Sequence, residues 1–364
     1  MTKNYGSNRL FSKLSPCIIL LAGLFVASFA GCNSDNVEKI PDISSTKIAL
    51  QTSRFDLDLY AIDTNNIGAG LHQLAGKYPD FLDYFLDTVM AYGIHGNYAD
   101  TTEGIRVGLK TFLSFRGFKT LEDTIKKNYP DNKDIDAELT QGFAFMKHYF
   151  PDAETPKVIY LNMGLSNWSA FPVDAHTMCV GLDMFLGEYF PYYRSIGVPG
   201  YMAAHLRKNY IPVAVFAALY KSVHPFHVED KTLLELMIER GKEQYFLHKI
   251  LPHTPDSVLF GMTGAQAEWC NENEALIYNF FIHDNLLFSK DTRNIQPYVF
   301  DGPNTPGIPA TNKIKSTPGN LGTWLGYRIV NSYMNQQDRV TLKDLTEQKK
   351  DAAKVLDEAK YRPK

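Results

Sequence analysis

Lys157-Val158-Ile159-Tyr160-Leu161-Asn162-Met163 is the stretch on which the architecture turns. Short, apolar, and rich in β-branched and aromatic side chains, it reads as a strand. Residues 168–173 and Thr177–Gly181 read as two more, joined by Asp174-Ala175-His176. Almost everything outside this small sheet has helical spacing. Before it, helices are expected over 66–90, 101–115, 120–128 and 134–149. The first is interrupted at Tyr78-Pro79-Asp80, where Pro79 ends one helix and Asp80 caps the next. Thr120-Leu121-Glu122-Asp123 reads as an N-terminal capping pattern. After the sheet, helices are expected over 200–209, 211–222, 231–251, 263–288, 319–335 and 341–358. Near the start, the stretch 47–60 alternates apolar and polar residues over 55–59 and predicts one further strand. Residues 290–318, rich in Pro, Gly and Asn, form a long ordered loop of the kind that often carries function. No internal repeat is visible. The expected fold class is mainly α with a small β-sheet, α+β.

The N-terminus carries a different signal. Lys3, Arg9 and Lys13 precede an apolar run over 17–27, no acidic residue occurs before Asp35, and Ser28-Phe29-Ala30-Gly31-Cys32 follows. This is the pattern of a secretory signal. The run is shorter than the roughly 20 residues a membrane-spanning helix needs. A Cys directly after Ala30-Gly31 resembles the bacterial lipobox, with Phe29 in place of the usual Leu. The resemblance implies removal of 1–31 and acylation of Cys32. Lipid at Cys32 would anchor the protein stably, since each buried methylene contributes about 0.8 kcal/mol and more than one chain is attached. The organisation expected is a lipoprotein signal at 1–31, acylated Cys and polar tether at 32–46, and a single globular domain at 47–364. Residues 211–220 are apolar but short and contain Pro212, so they read as a buried helix.

Composition narrows the partners. The net charge is −3, and loss of the signal makes the chain more acidic. No basic run points to nucleic acid. Of four cysteines, Cys17 leaves with the signal and Cys32 is acylated. Cys179 lies in a strand-like run and Cys270 in a helix-like one, so two buried free thiols are expected rather than a disulfide.

The common catalytic motifs are missing. There is no H-E-x-x-H, C-x-x-C, G-x-S-x-G, P-loop or G-x-G-x-x-G pattern, and Gly164-Leu165-Ser166-Asn167-Trp168 fails the nucleophile elbow at its last position. Three constellations remain. His224-Pro225-Phe226-His227-Val228-Glu229 offers imidazoles and a carboxylate, but Pro225 keeps the two His off one helical face, so a solvated loop is expected. In Trp269-Cys270-Asn271-Glu272-Asn273-Glu274, Glu274 falls on an apolar helical face, where a carboxylate must be paired or hydrogen-bonded. In Gly322-Thr323-Trp324-Leu325-Gly326-Tyr327-Arg328-Ile329-Val330, Arg328 is hemmed by apolar residues and is the natural partner for Glu274. The pair reads as a core ion pair, with a ligand-binding cleft as the alternative.

Several stretches, taken in order, resemble one family. They are Arg54-Phe55-Asp56, Lys77-Tyr78-Pro79-Asp80-Phe81, Gly181-Leu182-Asp183-Met184-Phe185-Leu186-Gly187, Leu251-Pro252-His253-Thr254-Pro255-Asp256-Ser257, Trp269 to Glu274, and Pro318 to Val330. From about Lys47 to the C-terminus the chain resembles the gliding motility lipoprotein GldB family. The resemblance implies an envelope lipoprotein of a gliding motility or type IX secretion assembly, with an envelope protein as partner. It supplies no biochemical activity. The weakly acidic Asn33-Ser34-Asp35-Asn36 leans the placement toward the outer membrane, facing the periplasm.

The order of elements also looks zincin-like. If His205, on a helix over 201–209, takes the place of the first zinc ligand, the general-base position holds Leu206 and the second His position holds Asn209. Before Gly241 stands Arg240 rather than Glu, with Glu239 one step off. One imidazole beside a cation makes no zinc site, which needs about three converging ligands and a base. The reading is therefore a degenerate, non-enzymatic scaffold with no cofactor, no metal ligand and no catalytic residue. Its cleft or buried polar candidates are His205, Asp183, Arg240, Glu272, Glu274, Tyr327 and Arg328. The alternative is a cryptic metal-dependent, peptidase-like hydrolase built on His205, Glu239 and a further His.

Overall fold

Side-chain alternation along one strand organises the molecule. The computed structural model describes residues 39–166 and 169–364, without the side chain of Asp284. The signal, Cys32, tether residues 33–38 and Trp168 lie outside the described residues. One compact unit spans Asp42–Lys364. Its sheet has strands β1 (Thr52–Arg54), β2 (Lys157–Leu161), β3 (Ala170–Asp174) and β4 (Thr177–Gly181). They lie in the order β1-β2-β4-β3, with β1, β2 and β4 parallel and β3 antiparallel to β4. Successive strand side chains point to opposite faces. Val158 and Tyr160 of β2, with Met178 and Val180 of β4, enter one apolar core; Ile159, Leu161 and Cys179 enter a second. Burial on both faces is why these strands read as unbroken apolar runs. β3 is one of the two edge strands and accommodates Pro172 beside a register irregularity, as edge strands can.

The remainder of the unit is mostly helical. Before the sheet come α1 (Phe55–Tyr60), α2 (Ile67–Lys77), α3 (Arg116–Asn128) and α4 (Lys133–Tyr149), with π-helical turns at Tyr84–Val89 and Gly104–Leu109. After it come α5 (Ile211–Val223), α6 (Leu233–Ile250), α7 (Gly264–Glu272), α8 (Glu274–Ile282), α9 (Leu321–Asn335), α10 (Leu342–Glu347) and α11 (Ala352–Ala359). The smaller core is built on Phe55, whose ring meets Tyr78, Phe81 and Phe85 edge-on at 5.0, 5.0 and 4.9 Å. Such edge-to-face pairs contribute beyond the area they bury. In the larger core α6 and α9 cross at Gly241 and Gly326. A Cβ on Gly326 would overlap the Met237 carbonyl, and one on Gly241 the Gly326 carbonyl, so the two backbones touch because neither residue has a side chain.

Several expectations are corrected. Residues 55–59 form helix α1, not a strand; Phe55 and Leu59, both fully buried, fit the i, i+4 spacing of a helix as well as strict alternation. Helix α3 starts at Arg116, so Thr120 is interior, its hydroxyl donating to the Arg116 carbonyl at 3.0 Å rather than capping. Asp80 sits in a turn and does not cap. The helix expected over 200–209 ends at Ala203; a turn carries His205, and a 3-10 turn follows at Lys208–Tyr210. The helix over 263–288 is broken at Asn273, and the one over 341–358 divides into α10 and α11. Cys179 and Cys270 are buried free thiols.

The parallel strands end in polar residues that are buried or hold buried partners. Arg54 closes β1, and its guanidinium donates to both oxygens of fully buried Asp56 (2.6–3.1 Å) and to the Tyr129 carbonyl at 2.7 Å. Asn162, just beyond β2, donates to Glu122 at 3.0 Å. Asp183, just beyond β4, accepts the N–H groups of Met163 (3.2 Å) and Leu165 (2.7 Å). Burial raises the Glu122 carboxyl to about 7, with the Asp56 charge adding to the effect. Between the ordinary value of 4.5 and about 7, the folded state therefore keeps a proton that the unfolded chain has released. Stability from this site is full in acid and is lost as pH rises through that window. Glu122→Gln is expected to flatten the loss and to stabilise the protein at alkaline pH by on the order of 2 kcal/mol. Urea unfolding of wild type and variant on both sides of the window checks this; equal pH slopes would refute it.

Candidate functional site

Of the residues singled out in the sequence, the structure brings Glu274 and Arg328 together. Glu274 opens α8 and is 2% exposed. Arg328 on α9 donates to it through two nitrogens, Nε to Oε1 and Nη2 to Oε2, each at 3.0 Å. This fork is the strong geometry for an Arg–carboxylate pair. Tyr361 also donates its hydroxyl to Glu274, and the guanidinium lies 5.6 Å from the Trp324 ring centre. The cluster joins α8, α9 and the C-terminal segment and reads as a structural fastening.

The other candidates are dispersed. Asp183 is fully buried at the end of β4; burial raises its carboxyl to about 6 against the pull of its backbone N–H donors. Glu272 pairs with Lys313 at the surface, both oxygens at 2.7 Å. Tyr327 stacks on His248 at 4.0 Å, and His248 pairs with Asp256 at 3.3 Å. Arg240 pairs with Glu243 and lies over Phe226, while Glu239 takes Lys231 at 2.7 Å. His205 has its Nε2 3.1 Å from the Gly261 carbonyl and its Nδ1 3.5 Å from Asp301, and it stacks on Tyr210 at 4.9 Å. Gly261 has φ +63°, and a side chain there would overlap the imidazole, so only glycine fits. His205 borders a cavity of about 370 Å³ whose wall includes Phe185, Val198, Met202 and Leu206. Among the described residues, no group of three or more His, Cys, Asp or Glu side chains is placed to hold a metal ion.

A further polar recess joins the His224 loop to residues that the sequence did not mark, Lys242 and Glu243 among them. It is a groove of about 800 Å³ between the segment 224–227, one side of α6 and the segment 346–352. The loop expected at His224 to Glu229 forms one wall, with His227 and Glu229 exposed. α6 supplies Glu239, Lys242 and Glu243 to the other. α6 is embedded on nearly every side: Gly241, Lys242, Glu243 and Gln244 are buried one after another. A polar run in the middle of a helix flanked by apolar turns was the available signal.

These features define an α+β protein with a double-faced sheet, a fastened helical body and a polar groove. The gliding motility protein GldB family matches residues 36–363, and the chain belongs to that family. No curated protein and no solved structure matches the chain.

Proposed function

We propose that the protein is a non-enzymatic, lipid-anchored component of the cell envelope that serves a gliding motility or secretion assembly by binding a protein partner. The observation that carries this is the family match over 36–363. The N-terminal pattern ending at Cys32 supports the anchor. Among the described residues no helix is long and apolar enough to cross a membrane, so the lipid on Cys32 is the attachment this reading relies on, in the outer membrane and facing the periplasm. The non-enzymatic part rests on pairing: Glu239, Arg240, Glu243 and His248 each hold a charged neighbour, and His205 sits in a turn with one carboxylate, Asp301, near it. The hydrolase alternative needs several of these groups released and gathered at about 2.0–2.2 Å from one ion.

Cys32→Ser is expected to move the protein from the detergent phase to the aqueous phase on phase separation of cell extracts, and to abolish incorporation of labelled fatty acid. A variant that stays with membranes at the same mass as wild type would defeat the anchor. In cells, crosslinking of the wild type should capture an envelope protein that the Cys32→Ser form, released from the membrane, captures less.

A further inference from the structure

The groove beside α6 is bordered by a buried ammonium, that of Lys242, compensated by a backbone carbonyl and by the charge of Glu239 from beyond ion-pair distance. Lys242 is 8% exposed, and its ammonium donates to the backbone carbonyl of Gln348 at 2.9 Å. Among the described residues no carboxylate lies within ion-pair distance of it. The five acids along the groove are engaged elsewhere: Glu235 with the Thr232 N–H at 2.7 Å, Glu239 with Lys231 at 2.7 Å, Glu243 with Lys221 at 3.3 Å and with Arg240, Glu347 with Lys343 at 3.9 Å, and Asp351 with the N–H groups of Ala353 and Lys354 at 2.8 and 3.2 Å. A buried ammonium ordinarily has a paired charge, because removing it from water is costly. Burial lowers the pKa of Lys242. It also lowers that of His224, where the Lys242 charge acts in the same direction, against Glu347.

We propose that this groove binds a carboxylate carried on an apolar or aromatic body, with Lys242 as its counter-ion. The walls suit such a body, since Tyr220, Phe226 and Ile238 line the same space. The groove's volume of about 800 Å³ admits considerably more than one carboxylate. A charge-assisted N–H···O bond to a single anion is among the stronger polar contacts available. A dianion such as phosphate is disfavoured relative to a carboxylate, because Glu235, Glu239, Glu243, Glu347 and Asp351 border the site and their repulsion grows with the charge of the ligand while Lys242 offsets only one unit of it. The carboxylate can come from a small organic acid or from an acidic residue of a protein segment. The inference goes beyond the envelope role, because it gives a ligand class to a groove that the family match leaves unassigned, and it stands or falls separately from the lipid anchor.

The test uses the full chain in detergent micelles. Calorimetric titration with phenylbutyrate should show saturable binding, and phenyl phosphate should bind at least several-fold more weakly. Lys242→Met should weaken the carboxylate by about tenfold or more. A peptide with one glutamate, acetylated at its N-terminus and amidated at its C-terminus, separates the two sources: displacement of phenylbutyrate assigns the carboxylate to a protein segment, and failure to displace it assigns it to a small acid. Should Lys242→Met fail to fold, carbon-13 dimethylation of the wild-type lysines still decides. The Lys242 resonance, identified by its loss in Lys242→Arg, should titrate below the other lysines and shift upward when phenylbutyrate is added. No saturable binding, a Lys242 resonance unmoved by the probe, or phenyl phosphate binding as tightly as phenylbutyrate would each overturn the proposal.

Discussion

Replacing Arg328 with Met is expected to destabilise the protein by about 3 kcal/mol, the lower end of the roughly 3–5 kcal/mol that follows removal of one partner of a buried ion pair. Glu274 would stay 2% exposed with its carboxylate facing only Tyr361. The lower end applies because the Arg328 side chain is 27% exposed, so water reaches one side of the pair. Glu274→Gln combined with Arg328→Met should recover much of the loss, since the stranded charge is then gone and the Tyr361 contact can persist. The two effects are therefore far from additive. Urea unfolding of both single variants and the double variant measures this. A single-variant loss below about 1 kcal/mol, the range of exposed pairs, would show that the pair fastens nothing.

A larger effect is expected from Gly326→Val. The new side chain would overlap the Met237 carbonyl, which belongs to the backbone of α6 and cannot swing aside. Overpacked cores commonly lose about 1–3 kcal/mol when side chains can shift. Here two helices must separate, so a loss of at least about 3 kcal/mol is expected. Gly76→Ala in α2 is the control. Nothing lies within 4 Å of its added Cβ, and glycine in a helix costs about 0.5–1 kcal/mol relative to alanine, so that variant should be neutral or more stable. Thermal unfolding of the two variants side by side decides the matter; equal behaviour would mean that the α6–α9 crossing is not the close contact described.

The parts of this fold that were legible are those where one local rule dominates. The strands at 157–161 and 177–181 announce themselves because burial on both faces leaves no polar position to blur them. Glu274 and Arg328 could be paired without coordinates because each is a charge on an otherwise apolar helical face. Other segments obey two rules at once. In 55–59, spacing by two and by four select the same residues, and only packing on Tyr78, Phe81 and Phe85 chooses the helix. At 201–209 helix-forming residues stop after Ala203, because His205 is held by the Gly261 carbonyl and by Tyr210, which lie far along or outside that segment. The polar run around Lys242 is visible in α6, but its burial depends on the 346–352 segment, more than a hundred residues away, folding across that helix. Such long-range contacts leave no periodicity in the sequence.

The central claim, that this family member acts by anchoring and binding rather than by catalysis, is tested most directly by metal analysis of the purified full chain after dialysis, read together with peptide hydrolysis. The account predicts far less than one zinc per chain and no hydrolysis above a boiled control, because His205, Glu239 and His248 are held apart by their own partners. One zinc per chain that survives dialysis, with hydrolysis abolished by a chelator and restored by zinc, would contradict it.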